Sequence, residues 1–282
     1  MNFGGSEVVY DYASSGIVIL PVPYDGTSTW IKGADRGPEA IMEASVNLEF
    51  YDLETDSEAH LNGIHTLEPL LAPATPEELV ESVRLTILRL LKDKKFPVVV
   101  GGNHTVSIGA IRAFAETFDK LSVLQLDAHA DLRNEYEGSA LNHACTMARA
   151  KELVPVIQVG IRSISAEELL MADRDYIFPA HVLYRRKELY FKAIDKLSEN
   201  VYVTIDLDVF DPSLMPSTGT PEPGGPDYYE VMYFLREIAA RRNVVGFDVV
   251  ELCPSPLNKA PDFVAARIIY QMLSYIFNDR SS

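Results

Sequence analysis

Cysteine is scarce in this sequence, whose 282 residues contain only Cys145 and Cys253. Two cysteines do not make the disulfide framework of a small secreted protein, so we expect reduced thiols and a cytoplasmic location. No uninterrupted apolar run approaches the roughly 20 residues that span a bilayer, so we expect no membrane partner. The first segment, MNFGGSEVVYDYASSG, lacks a basic stretch followed by an apolar one. We therefore expect no secretion signal.

Positive charge is also in short supply. The chain carries 25 Lys and Arg residues against 41 Asp and Glu residues, which gives a formal net charge of −16. This charge argues against nucleic acids and anionic membranes as partners and is compatible with cationic small molecules or metal ions. An acidic surface that serves only solubility is the alternative. With 47% hydrophobic and 23% charged residues, the composition is that of an ordinary globular protein able to bury a large core.

Short β-branched runs alternate along the chain with segments of helical periodicity. The runs predict strands over residues 17–22, 97–100, 122–126, 156–159, 201–205 and 244–250. The periodic segments predict helices over residues 76–92, 106–118, 228–240 and 263–277. This order predicts βαβ units, and hence an α/β fold with a mainly parallel sheet covered on both faces. We find no repeat, linker or composition break, so we expect a single domain over residues 1–282, with a long surface loop over 210–228.

Three of the predicted strands end in residues that suit a metal ion. They lead into Asn103-His104, into the segment DAHAD and into the segment DLD. Side chains at alternate positions of a strand point to one face, and ligands of α/β sheets bind beyond the carboxyl ends of the strands. The sequence therefore predicts one metal site with six candidate ligands: His104, Asp127, His129, Asp131, Asp206 and Asp208.

The chemistry of these six residues favours a particular kind of metal centre. Carboxylates with a minority of imidazoles suit Mn²⁺ or related divalent ions, whereas thiolate-rich sites select zinc or iron–sulfur clusters. Six ligands are too many for one catalytic ion with an open position, so we expect two ions that share carboxylates. Four aspartates would then balance two divalent cations. A water between two such ions loses a proton readily and becomes a nucleophile at neutral pH.

Three ordered motifs, GGNHTVS, LDAHADLR and TIDLDVFDPSLMPSTGTPEPGG, resemble the signatures of the ureohydrolase family, which includes arginase and agmatinase. The segments VPYDGTSTWIKGADRGPEAI, VGIRSISAEE and FDVVEL fit the agmatinase branch, and the resemblance runs essentially end to end. It implies a three-layer α/β/α sandwich, two Mn²⁺ per chain and hydrolysis of a guanidino group to urea and an amine. It also implies a homo-oligomer, a trimer or a hexamer.

The resemblance also implies a role for each site residue. His104 and Asp131 would bind one ion, His129 and Asp208 the other, and Asp127 and Asp206 would bridge the two. His143 takes the place of a mobile proton-shuttling histidine that titrates near neutrality, Glu251 would face the guanidinium, and Thr220 would line the substrate pocket. His143, Glu251 and the metal-bound Asp131 form the expected catalytic group.

A few positions depart from the commoner family pattern. Asn103 stands where an acidic residue is more frequent, so the charge around His104 differs. Ala144 and Cys145 follow His143 where many members have a glycine. Cys145 is therefore a candidate for the surroundings of the site, although a packed small side chain is the favoured interpretation.

We expect the substrate to be agmatine, which would be cleaved to putrescine and urea. In arginases the corresponding loop carries Asn, Thr and Ser residues that bind the amino-acid head group, but here Arg133 stands in place of an asparagine and the loop over residues 132–142 is one residue shorter. Instead it offers Glu135 and Glu137, and we expect Glu135 to attract the distal ammonium of agmatine. Arg133 favours a substrate with a carboxylate or is simply solvated, so guanidinobutyrate stays open. Aminopropylagmatine, arginine and formiminoglutamate also remain alternatives.

Two readings compete with a ureohydrolase. A binuclear metallophosphoesterase also uses D-x-H and G-N-H motifs, but Asn103-His104 precedes Asp127 here, which is the reverse of that family's order. A non-catalytic family member with a scaffold role is expected to have lost at least one metal ligand, and none of the six is missing.

Overall fold

Eight parallel strands form the centre of the molecule in the computed structural model, which describes residues 1–71 and 74–278. The predicted domain over 1–282 includes the positions outside these ranges. The strands are β1 (Ile17–Val22), β2 (Ile64–Thr66), β3 (Phe96–Gly101), β4 (Leu121–Leu126), β5 (Val156–Val159), β6 (Ile177–Phe178), β7 (Asn200–Asp206) and β8 (Asn243–Val250).

The spatial order of the strands is β2-β1-β3-β8-β7-β4-β5-β6, and every neighbouring pair is parallel. β8 comes last in the chain but lies between β3 and β7 at the middle of the sheet. Consequently β3, β8, β7 and β4 are adjacent, and their carboxyl ends meet at one edge of the sheet.

Nine helices in the described ranges cover the two faces of this sheet. They are α1 (Gly37–Ser45), α2 (Pro76–Lys92), α3 (Val106–Thr117), α4 (Thr146–Lys151), α5 (Ala166–Met171), α6 (Ala180–Arg185), α7 (Leu189–Lys196), α8 (Tyr228–Arg241) and α9 (Ala260–Phe277). Alternate residues of one strand point to opposite faces: Ile17 and Ile19 pack with α1, α8 and α9, whereas Val18 and Leu20 pack with α2 and α3. The expected three-layer α/β/α sandwich is confirmed.

Local sequence explains where two of the long helices begin. Thr75 accepts a hydrogen bond from the Glu78 amide, and Pro76 at the first helical position has no N–H to leave unpaired. At α8, the side chain of Asp227 accepts from the Glu230 amide while Glu230 accepts from the Asp227 amide. No helix in the described ranges is long and apolar enough to cross a membrane.

The structure confirms the six predicted strands and four predicted helices, with boundaries that agree to within three residues. β2 and β6 were not predicted because they have only three and two residues. The segment after Phe210 is a loop as far as Asp227, but it is not confined to the surface. Met215 and Thr218 are buried, and the Cys253 amide donates to the Ser217 carbonyl. The loop therefore folds back over the carboxyl ends of the strands.

Candidate functional site

The adjacent ends of four strands bring the candidate site residues together. β3 leads to His104, β4 to Asp127 and β7 to Asp206, while Glu251 follows β8. The Glu251 amide donates to the Gly102 carbonyl at 2.8 Å, which fixes the end of β8 against the loop that carries His104. All six predicted metal ligands converge here, although they come from segments that are distant in the chain.

The polar atoms of these ligands form two groups that share Asp127. In the first, His104 Nδ1 lies 3.0 Å from Asp131 Oδ2, 3.2 Å from Asp127 Oδ2 and 3.4 Å from Asp206 Oδ2. In the second, His129 Nδ1 lies 2.9 Å from Asp208 Oδ2 and 3.7 Å from Asp127 Oδ1. His104, Asp127 and Asp206 have the donor set and spacing of one metal site, and Asp127, His129 and Asp208 those of a second, while Asp131 lies beside the first through its contact with His104.

His104 is oriented by a buried chain of hydrogen bonds on its far side. Its Nε2 lies 2.9 Å from Thr204 Oγ1, and that hydroxyl donates to Asp248 Oδ1 at 2.6 Å. Tyr202 donates to the other oxygen of Asp248, also at 2.6 Å. Because the Thr204 hydroxyl gives its proton to Asp248, we assign the proton of the neutral imidazole to Nε2, which donates to Thr204.

This tautomer tests whether the residues fit a metal. His104 Nδ1 is buried and has no well-directed hydrogen bond, although three carboxylate oxygens surround it. Burial opposes a charged His104, yet Asp127, Asp131 and Asp206 raise its pKa well above the usual value, so that without a metal ion a proton occupies Nδ1 among these oxygens. A metal ion would take the place of that proton. A divalent metal ion satisfies all of these atoms at once, so the donor set fits the metal centre that the sequence predicts.

The pKa values of the carboxylates reflect the close packing of their charges. Burial, together with repulsion from Asp127, raises the pKa of Asp131 to about 7. Burial and the neighbouring Asp208 and Asp127 raise the pKa of Asp206 well above its usual value. Burial acts in the same direction on Asp127, but the two histidines outweigh it and lower its pKa. Burial opposes the charged form of His129, yet Asp208 and Asp127 raise its pKa to about 12. The cluster therefore retains protons that a metal ion must displace.

His143 and Glu251 face each other at the same cavity. His143 Nδ1 lies 3.9 Å from Glu251 Oε1, and His143 Nε2 lies 3.4 Å from Thr29 Oγ1. Glu251 Oε1 accepts a hydrogen bond from the His104 amide at 2.7 Å, which fixes the position of the carboxylate. Neither side chain belongs to the two groups of metal-type donors, which leaves both free to meet a substrate.

Burial shifts the pKa values of both side chains. It lowers the pKa of His143 to about 4, with the positive charges on His104 and His129 acting in the same direction. His143 is therefore neutral at pH 7, in contrast to the expected titration near neutrality, and it can accept a proton. Burial raises the pKa of Glu251 to about 8, since it outweighs the stabilising contact with His104. A cation beside Glu251 would lower that pKa again.

Two residues of the site have strained backbone conformations. Asp131 has a φ of 53° and Glu251 a φ of 68°, in the left-handed region that side chains with a Cβ rarely adopt. Such strain persists only where the surrounding structure imposes it, and it is concentrated at functional sites. The conformations of Asp131 and Glu251 therefore support a functional role for the segments that carry them.

The cavity beside these residues has a volume of about 340 Å³, and Thr220 lines it as expected. Glu135 does not lie in its lining. Tyr136 and Ser139 exchange backbone hydrogen bonds across a tight turn, which leaves Glu135 and Glu137 exposed to solvent. The predicted contact between Glu135 and a substrate is therefore not supported.

Several residues of the cavity lining were not predicted from the sequence. Glu168 lines it and is largely buried, with its carboxylate accepting from the amides of Leu132 and Ser165. The pattern S-x-x-E at Ser165 signals only a helix start, so it gave no indication of a pocket. Arg133, for which the sequence left a substrate contact and a solvated side chain open, also lines the cavity, and its guanidinium stacks 4.7 Å from the centre of the Tyr136 ring.

The two departures near the site have structural explanations. The Asn103 side chain donates to Thr27 Oγ1 at 2.7 Å and to Ser28 Oγ at 3.1 Å, so the amide anchors the loop after β1. Cys145 is fully buried and lies outside the cavity lining, which agrees with the interpretation of a packed small side chain. Burial raises the pKa of its thiol to about 11, so it stays protonated.

Comparison with known proteins agrees with this geometry. The model of the arginase family matches residues 15–274. An N(1)-aminopropylagmatine ureohydrolase of Synechocystis sp. is 37% identical over 97% of this chain and 93% of that protein. An agmatinase of Pyrococcus horikoshii is 33% identical over 93% of each chain. The crystal structure of an agmatine ureohydrolase of Thermoplasma volcanium superposes with a TM-score of 0.88 and 28% identity, covering 98% of this chain and 94% of that one.

These matches confirm the resemblance drawn from the three motifs and set aside a metallophosphoesterase. The match to the family model spans all four strand ends that build the site. The chain belongs to the arginase family of ureohydrolases.

Proposed function

We propose that this chain hydrolyses the guanidino group of agmatine to putrescine and urea with two Mn²⁺ ions. The observation that carries the proposal is the single cavity that joins two metal-type donor groups to His143, Glu251 and Glu168. This arrangement offers a water-activating centre, a proton acceptor and anionic groups for both ends of a dication. We further propose one domain over residues 1–282 that assembles into a homo-oligomer, which light scattering would test.

The metal ligands would be divided between the two donor groups. His104 and Asp131 would hold one ion and His129 and Asp208 the other, with Asp127 and Asp206 between them. Oxygen donors with a minority of imidazole support manganese. When bound, the two ions supply the activation of water as a nucleophile at neutral pH.

Glu251 and His143 supply the remaining chemistry. The guanidinium carbon is a poor electrophile because its positive charge is spread over three nitrogens. Glu251, fixed by the His104 amide, would hold this cation in place and neutralise its charge. His143 is neutral at pH 7, so it can accept a proton and deliver it to the departing amine, which must leave protonated.

The Glu168 carboxylate in the cavity lining favours a substrate with an amine tail. Glu168 is a buried carboxylate whose oxygens accept one backbone hydrogen bond each, so each oxygen keeps a further lone pair for a substrate ammonium. We therefore assign to Glu168 the role first expected of Glu135. The α-carboxylate of arginine would meet Glu168 as a like charge, which disfavours arginine. Arg133, in the same lining, is the one group that would favour guanidinobutyrate.

Aminopropylagmatine is the second candidate substrate. The Synechocystis relative carries that substrate in its name, and so does a relative from Thermus thermophilus that is 38% identical over 96% of this chain. Both compounds share the guanidinium and the four-carbon spacer, and they differ in whether a further aminopropyl arm continues from the distal nitrogen.

Urea release from a panel of substrates tests the proposal. Agmatine, aminopropylagmatine, guanidinobutyrate and arginine would be compared at matched Mn²⁺ and pH, with formiminoglutamate assayed by formamide release. We expect kcat/KM for agmatine to exceed that for arginine by at least about 10³-fold, the scale produced by an unmatched charged group. A higher kcat/KM for aminopropylagmatine would establish the second candidate, and arginine as the best substrate would overturn both. No turnover with any compound by Mn²⁺-loaded protein would favour a scaffold role.

A further inference from the structure

The side chain of Arg162 joins the loop after β5 to two separate parts of the long connection between β7 and α8, beside the candidate metal centre. Arg162 follows β5, and its guanidinium makes seven hydrogen bonds of 2.7 to 3.3 Å, all of them to main-chain carbonyl oxygens. The acceptors are the carbonyls of Gly160, Asp208, Val209, Phe210, Glu222 and Pro223. The guanidinium therefore links the start of the connection between β7 and α8 to the later part of the same connection, which carries Thr220.

The backbone of the same segment holds the end of β4. The amides of Arg162 and Ser163 donate to the Ala128 carbonyl at 2.8 and 2.9 Å. Ala128 separates Asp127 from His129 in the chain, and its own amide donates to Asp208 Oδ1 at 3.0 Å. Main-chain and side-chain contacts of the Arg162 segment thus converge on the strand ends that present His129 and Asp208.

The contacts of Arg162 are unevenly distributed over the metal centre. Its guanidinium donates to the Asp208 carbonyl at 2.7 Å. His104, in contrast, is oriented by Thr204, whose hydroxyl is in turn held by Asp248. The two halves of the centre therefore have separate supports. We propose that Arg162 is a positioning residue that fixes the geometry of the His129–Asp208 half alone, an inference that rests on the proposed binuclear centre.

The shape of the guanidinium explains why arginine is needed at this position. It presents five N–H donors in a rigid planar fork, whereas a lysine ammonium presents three donors at a single point. Arg162→Lys retains the positive charge but cannot reach the Gly160 carbonyl and both parts of the β7–α8 connection at once. Removal of a residue that supports metal ligands typically weakens metal binding by about 10–100-fold. We expect a loss of that size at one of the two sites.

Arg242 provides a matched control at the opposite end of the sheet. It precedes β8 and donates to the carbonyls of Ile194 at 2.8 Å, Leu197 at 3.1 Å and Arg241 at 3.0 Å. Arg242→Lys therefore also breaks a set of arginine–carbonyl contacts, but at the amino end of the strand, away from the metal centre. If Arg162→Lys acts only by loosening the fold, Arg242→Lys should weaken metal binding in the same way.

Binding of MnCl₂, followed by the electron paramagnetic resonance signal of free Mn²⁺, tests the proposal without recourse to turnover. Arg162→Lys should weaken one of two binding steps by about 10-fold or more and leave the other within about 3-fold, while Arg242→Lys changes neither. Equal weakening of both steps, an unchanged pair of steps, or the same loss in Arg242→Lys would overturn the proposal. A single binding step in the wild-type protein would instead refute the binuclear centre itself.

A second background identifies the half that is affected. Asp208→Asn should abolish the step that depends on His129 and leave the step that depends on His104. In that background we expect Arg162→Lys to have no further effect on the remaining step, whereas Thr204→Val should weaken it, because effects at independent sites do not couple. Weakening of the remaining step by Arg162→Lys would show that Arg162 supports the other half and would overturn the assignment.

Discussion

His143 should be essential for turnover and dispensable for metal binding. Its ring nitrogens lie 3.9 Å from Glu251 Oε1 and 3.4 Å from Thr29 Oγ1, and neither belongs to the two donor groups of the metal centre. We therefore expect His143→Ala to keep both metal ions and to lower kcat by about 10²–10⁴-fold, the usual contribution of a positioned acid–base group. At 1.36 kcal/mol for each tenfold change, this corresponds to roughly 3–5 kcal/mol of transition-state stabilisation.

The protonation state of His143 adds a second test of the same role. Burial and nearby positive charge lower its pKa to about 4, so the neutral form that accepts a proton persists down to that pH. An acid limb of kcat/KM near pH 6.5 would therefore not arise from this group in the free enzyme. Because the ring lines an open cavity, added imidazole should restore part of the activity of His143→Ala.

Metal analysis and urea release together distinguish this role from a structural one. The variant and the wild-type protein would be loaded with Mn²⁺, desalted and compared for metal content, kcat and rescue by imidazole between pH 6 and 9. Loss of a metal ion from His143→Ala would identify a ligand or a structural residue. An unchanged kcat would remove His143 from the reaction altogether.

Three further predictions concern the metal centre and its counter-charge. Asp206→Asn should sharply reduce the two Mn²⁺ expected per chain by elemental analysis, and two tightly held ions in this variant would contradict its bridging position. Glu251→Gln can still accept from the His104 amide, so it should retain metal but lose at least about 10²-fold in kcat/KM as a charge partner of the guanidinium; near-normal kinetics would exclude that role. Because Asp131 has a pKa raised to about 7, it is protonated below pH 7 and must release a proton to bind metal. Mn²⁺ affinity should therefore fall by at least about tenfold per pH unit below pH 7, since His129 also holds a proton there. Titrations that give one affinity at pH 5, 6 and 7 would refute this.

Much of the fold could be predicted because buried parallel strands have a simple sequence signature. All residues of β1 and β4 are buried, so β1 is a continuous apolar run and β4 is one that only Ser122 and Gln125 interrupt, and the sequence displays both directly. The strand order could not be predicted in the same way. That β8 inserts between β3 and β7 depends on its pairing with β3, which lies more than 100 residues earlier in the chain, and local periodicity contains no information about it.

The candidate site divides along the same line. The sequence predicted that His104, Asp127 and Asp206 converge, since each follows a strand of a parallel sheet and such ends share one edge. The position of Glu251 came only from the family resemblance, because its strand had to be placed first. Glu135 was expected at the site because it is near the metal motif in sequence, whereas the tertiary fold brings Glu168 to the cavity from α5, and no sequence signal pointed to it.

The position of β8 gives one strand two tasks at the centre of the site. Asp248 in β8 accepts from Thr204 of β7 and so helps to set the proton of His104, while Glu251 at its end accepts from the His104 amide. Asp248, which helps to orient a metal ligand, and Glu251, which is proposed to hold the guanidinium, are thus only three positions apart in the chain. Movement of β8 relative to β3 would shift both the orientation of His104 and the position of Glu251. The burial of β8 and its pairing with β3 oppose such movement, and so they fix the two residues relative to each other.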